Sequence, residues 1–91
     1  MEENTLKLLV IDDNRDNLTS LRAVVRDALP KCAVLTALSG TEGIELARTE
    51  DPDVILLDIV MPDMDGFEVC RRLKSDELLQ SIPVVFLTAL R

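Results

Sequence analysis

Histidine is absent from these 91 residues, and the two cysteines, Cys32 and Cys70, are far from metal-ligand spacing. A Cys/His metal centre is therefore excluded, and both thiols are expected as reduced core or boundary residues, because free cysteine packs as a small hydrophobe. Cationic charge is scarce as well: 10 lysines and arginines against 17 acidic residues give a net charge of −7. A phosphate backbone is repelled by such a surface, and the sequence offers no basic stripe with interleaved aromatics, which argues against direct nucleic-acid binding. Long apolar runs are missing too. The run Leu6 to Ile11 is far too short to span a bilayer, and the acidic opening Met1 to Thr5 is unlike a signal peptide, so the expected location is the cytoplasm, with no membrane partner. Glycine is missing where a nucleotide would need it. Asp12-Asp13-Asn14-Arg15 follows the first apolar run in place of a loop that could cradle a pyrophosphate.

What is present is enough for one domain, 1–91, and no more. A hydrophobic content of 47% with 30% charged residues indicates a packed core rather than a disordered tail. Short apolar runs alternate with segments of helical period. Leu6 to Ile11 ends abruptly at Asp12 and Asp13; Leu18, Leu21, Val25 and Ala28 then recur at helical steps and must stop near Pro30. Cys32 to Ala37 is a weaker strand. Ser39 with Glu42 is a capping-box pattern opening a helix through Ile44, Leu46 and Ala47, and Asp51-Pro52-Asp53 signals a turn. Val54 to Leu57 ends at Asp58, Asp65 with Glu68 opens a helix containing Phe67, Cys70 and Leu73, and Pro83 to Leu87 ends in Thr88. The order is β-α-β-α-β-α-β. Continuous apolar strands imply an α/β fold: a parallel sheet with helices on both faces, joined by right-handed crossovers.

In a parallel sheet all carboxyl ends lie on one edge, where open α/β sheets bind ligands at the reversal of strand order. That edge should gather Asp12 and Asp13 after the first strand, Asp58 after the third and Thr88 after the fourth. Carboxylates a few ångströms apart repel by about 1 to 4 kcal/mol per pair, so either a pKa rises or a cation sits among them. Hard oxygen ligands favour Mg²⁺, beside which Asp58 becomes a nucleophile for a phosphoryl group. Taken singly, these residues have plainer roles. Asp13 doubles as a cap candidate for the first helix, Thr88 as an ordinary strand end, and Asp53, Asp63 and Asp65 as solvated turn and cap residues.

Val10-Ile11-Asp12-Asp13-Asn14, then Pro52-Asp53-Val54-Ile55-Leu56-Leu57-Asp58-Ile59-Val60-Met61-Pro62-Asp63-Met64-Asp65-Gly66, then Pro83-Val84-Val85-Phe86-Leu87-Thr88-Ala89 resemble the signature stretches of response-regulator receiver domains. The resemblance covers essentially every residue from Leu6 onward. It implies a flavodoxin-like fold that accepts a phosphoryl group from a sensor histidine kinase or phosphotransfer protein. By position, it makes Asp58 the acceptor and Asp12, Asp13, Asp58 and the backbone carbonyl of Val60 the Mg²⁺ ligands. It makes Thr88 and Ala89 the switch residues, with Pro62 and Gly66 shaping the loop beyond the acceptor. Receivers of this kind continue into a fifth strand ending in a phosphate-clamping Lys. The lysines here, Lys7, Lys31 and Lys74, are not so placed. The expectation is thus a receiver incomplete at its C-terminus, phosphorylated weakly and impaired in switching, with an open fourth-strand edge that draws a second copy into a dimer or larger assembly. A non-signalling interaction fragment is the main alternative. A Mg²⁺-dependent phosphohydrolase of the haloacid-dehalogenase type is disfavoured, because such enzymes carry a second Asp two residues after the nucleophile and Val60 stands there.

Overall fold

The computed structural model describes residues 5–87. Its elements run β1 (Lys7–Ile11), α1 (Arg15–Ala28), β2 (Ala33–Ala37), α2 (Gly40–Glu50), β3 (Val54–Asp58), α3 (Gly66–Lys74) and β4 (Val84–Leu87). The strands form one four-stranded parallel sheet in the order β2-β1-β3-β4. The chain steps from β1 outward to β2, then returns past β1 to β3 and onward to β4. With right-handed crossovers, that reversal must put α1 on one face and α2 and α3 on the other.

Two cores sit on opposite faces of the sheet. Leu9 and Ile11 of β1 and Ile55 and Leu57 of β3 pack with Ile44, Ala47, Val69 and Leu73 from α2 and α3. The intervening residues Leu8 and Val10 pack with Leu18 and Val25 of α1, with Val54 and Leu56 partly buried against them. This explains the continuous apolar runs: period 2 turns successive side chains to opposite faces, and here both faces are covered by helix. Cys32 and Cys70 are free, half-buried, and packed against different faces, so the expected boundary role holds.

Local punctuation agrees with the sequence in most places. α1 is capped by Asn14, whose side chain accepts from Asn17 N at 3.0 Å, rather than by Asp13. Ser39 caps α2, with Glu42 N donating to its Oγ at 3.2 Å, and Glu42 returns to the backbone at Leu38 N. Asp51 ends α2 with φ 51° and ψ 60°, a left-handed turn in the Asp-Pro-Asp segment. Asp53 is more than a solvated turn residue: its Oδ2 accepts from Lys7 N at 2.8 Å, tying the start of β3 to β1. Phe67 is exposed, while Val69 beside it fills the core.

Candidate acidic site at the carboxyl edge of the sheet

β1 and β3 are neighbours at the point where strand order reverses, and each ends in acid. Asp12 is 4% exposed and Asp58 2%, while Asp13, one residue on, turns to solvent. Each of these three residues brings a carboxylate oxygen within 4.8 Å of the others. Residues 46 positions apart meet because parallel pairing sets Leu57 beside Ile11 and carries both chains off the same edge.

Asp12 is held from several sides. Its amide donates to Ala37 O at 3.0 Å, its Oδ1 accepts from Asn14 N at 2.9 Å, and its Oδ2 accepts from Asn17 Nδ2 at 3.2 Å. Asn17 is the residue that sequence reasoning missed. Its signal is faint: an amide five positions after a strand-end Asp, in the first turn of a helix. Gly66 fixes the far side of the acceptor. Its amide donates to Ile59 O at 2.8 Å, and a side-chain carbon there would collide with the carbonyl oxygen of Asp58 and sit 2.8 Å from Ile59 Cα. Only glycine lets the loop 59–65 close this tightly over the end of β3, a close approach of backbone to backbone.

Val60 lies in that loop with its side chain 67% exposed, two positions beyond Asp58. Thr88 and Ala89 lie outside the described residues; the last described residue, Leu87, is the register partner of Asp58. Lys7 reaches Glu50 and Lys74 reaches the carbonyls of Gln80 and Ile82, so neither enters the acidic site. Lys31 sits in the turn before β2, at the opposite edge of the sheet.

The donor set suits a hard divalent cation. Every donor is a carboxylate oxygen, and opposed ligands of Mg²⁺ stand about 4.2 Å apart at bond lengths near 2.1 Å. The 4.8 Å spread is within a small inward shift, or one intervening water, of that geometry.

Comparison with known proteins agrees with this arrangement. The family model described as the response regulator receiver domain matches residues 8–91. The response regulator PleD of Caulobacter vibrioides is 44% identical over 84 residues, spanning 92% of this chain and 18% of PleD. PilH of Pseudomonas aeruginosa is 39% identical over 82 residues, 90% of this chain and 66% of that protein. The chain therefore spans less than two-thirds of either relative. Among solved structures, the N-terminal domain of a response regulator receiver protein from Methanoculleus marisnigri superposes with a TM-score of 0.89 at 34% identity, covering 96% of this chain and 69% of the other. The chemotaxis protein CheY4 of Vibrio cholerae gives 0.87 at 28% identity, covering 97% and 72%. Sheet order, acidic edge and sequence likeness converge on one assignment: the chain belongs to the family of response regulator receiver domains.

Proposed function

We propose that this chain is a phosphoacceptor, taking a phosphoryl group onto Asp58 from a phosphohistidine of a sensor kinase or phosphotransfer protein. The observation that carries this reading is the meeting of Asp12, Asp13 and Asp58 at one strand edge, with Asp58 nearly closed off from water. An oxygen of Asp58 bonds to phosphorus as the phosphorus–nitrogen bond of the donor breaks. The electron pair stays on the imidazole nitrogen, which takes up a proton, and Asp58 becomes an acyl phosphate. Asp12, Asp13, Asp58 and the carbonyl of Val60 would hold Mg²⁺, which when bound neutralises charge on the transferring oxygens. Asn14 N and Asn17 Nδ2 keep the carboxylate of Asp12 turned to the site. Thr88 and Ala89 are the proposed switch pair, and the protein works in the cytoplasm as a regulatory acceptor rather than as an enzyme. Among the described residues no helix is long and apolar enough to cross a membrane.

A phosphohydrolase reading has no support at Val60, an exposed aliphatic side chain where that chemistry needs a proton donor. An interaction role has one specific observation behind it. β4 pairs only with β3 among the described residues, and Val85, Phe86 and Phe67 are exposed beside that open edge. A second copy of the chain is the proposed cover.

The experiment is intact mass after incubation with Mg²⁺ and acetyl phosphate. A single Mg²⁺-dependent phosphoryl adduct is expected, absent from Asp58→Asn. A folded protein that takes no adduct, or an adduct surviving that substitution, would overturn the proposal.

A further inference from the structure

With 17 carboxylates for 10 lysines and arginines, an unpaired cation should be uncommon in this chain. Outside α1 the described cations are engaged. Lys7 pairs with Glu50, Arg48 with Glu45 and Asp76, and Arg71 and Arg72 with Glu68. Lys74 binds two carbonyl oxygens, and Lys31 has a partner as well. The arginines of α1 differ. Arg15, Arg22 and Arg26 are all exposed, and among the described residues none is in an ion pair. The bond from Arg22 Nη2 to Thr36 Oγ1, at 3.2 Å, is to a neutral hydroxyl.

Their spacing makes them a stripe. Steps of seven and four residues bring the three guanidinium groups within about 40° of one another around the helix, over a length of about 16 Å. A basic stripe is thus present that the linear sequence concealed. It borders two polar clefts that share Arg22. One, of about 410 Å³, also takes in Arg15, Thr19, Thr36 and a single carboxylate, Glu42, whose Oε1 accepts from Leu38 N; the other, of about 350 Å³, takes in Arg26 and Val34.

The opposite wall of both clefts is β2, an outer strand of the sheet. Ala33 N donates to Leu6 O and Ala37 O accepts from Asp12 N, so those residues turn their backbone groups inward to β1. Alternation then turns the N–H and C=O of Val34 and Thr36 to the open side. An unpaired strand edge accepts a further strand, and main-chain bonds of this kind hold extended peptides in many complexes.

We propose that this α1–β2 border docks an acidic, extended segment of a partner protein. The segment adds a strand beside β2 while its carboxylates meet Arg15, Arg22 and Arg26. Alternate residues of an extended chain lie about 7 Å apart, close to the step of about 6 Å between Arg22 and Arg26. A nucleic acid fits less well: neither phenylalanine lies at these clefts to stack a base, and the chain as a whole is acidic.

The test is fluorescence anisotropy of a labelled short peptide of alternating Glu and Thr, titrated at low salt with the whole chain without Mg²⁺. Saturable binding is expected, weakened about tenfold by Arg22→Glu and also by the Arg15→Glu, Arg26→Glu pair, and lost at high salt. Methylating alternate backbone nitrogens of the peptide should weaken binding to the unaltered protein about tenfold, since it removes strand donors and leaves the charge. No binding, indifference to Arg22→Glu, or full binding of the methylated peptide would overturn the proposal. So would equal binding of a single-stranded oligonucleotide of the same charge.

Discussion

Asp12 enters the acidic site with both carboxylate oxygens already hydrogen-bonded, to Asn14 N and to Asn17 Nδ2. Both donors are neutral, so they orient the group and leave its charge to a cation. Groups that orient a metal ligand commonly matter about tenfold or more for affinity. Asn17→Ala should therefore weaken Mg²⁺ binding about tenfold and leave the fold intact, because Asn17 itself is exposed. Amide NMR titration with Mg²⁺ reads both at once; an affinity unchanged within twofold would mean that Asn14 N alone sets the carboxylate. The same residues show what a sequence discloses at this scale. Asp12, Asp13 and Asp58 are legible because strand ends of a parallel sheet share an edge, so position implies proximity. Asn17 is not, because its reach to Asp12 depends on the tight entry of α1 at Asn14, which the apolar period starting at Leu18 does not mark. The stripe Arg15, Arg22 and Arg26 also emerges only when the helix is wound and Asp16, Asp27 and Glu42, though near, form no ion pair with it among the described residues.

α3 illustrates how a helix signal can be right about place and incomplete about partners. Asp65 caps it, accepting from Glu68 N at 2.9 Å, and the Asp-x-x-Glu spacing suggests a reciprocal capping box. The carboxylate of Glu68 instead turns along the helix to Arg71 and Arg72. The hydrogen bond from Arg72, opposed by partial burial and aided by the charges of Arg71 and Arg72, holds its carboxyl below the usual 4.5. A carboxyl lowered by folding adds stability that is present above its unfolded value and is lost as pH falls through the folded one. The contribution of Glu68 should thus be complete above the mid-4 range and fade at lower pH. A side-chain carbon titration by NMR should place its midpoint below 4.5, and Arg72→Gln should raise it towards that value. A midpoint at or above 4.5 in the unaltered protein would contradict the pairing. α2, with both its period and its Ser39 cap, is readable in advance, whereas α1 is readable by its period alone, since its cap falls on Asn14 and not on Asp13. Residues 75–82 are not: they form successive turns with neither period 2 nor 3.6. Their order comes from Asp76, whose Oδ1 accepts from Leu78 N, and from Leu79 and Ile82, which are buried against the core.

At the scale of the whole sheet, the described residues cover its two faces unequally. α2 and α3 close one face around Leu9, Ile11, Ile55 and Leu57, while α1 is the cover on the other, where Val54, Leu56 and Leu87 are only partly buried. Val85 stands 49% exposed on β4, whose outer edge has no partner strand among the described residues. Such an edge recruits other strands, and burying apolar area there contributes about 25 cal/mol per Å². Against this stands a net charge of −7 on each copy, a repulsion that salt screens over about 10 Å at 0.1 M. The two proposed interactions therefore respond to salt with opposite sign. Binding of an acidic peptide along α1 weakens as salt rises, whereas self-association through β4 strengthens. Light scattering over a range of concentration should show the mean mass climbing towards that of a dimer or beyond, further at high salt. Val85→Lys, which puts a charge on the edge, should hold the protein at monomer mass. A protein that stays monomeric at high concentration and high salt would remove β4 as an interface, and leave the acidic site and the α1 border as the two proposed contact surfaces.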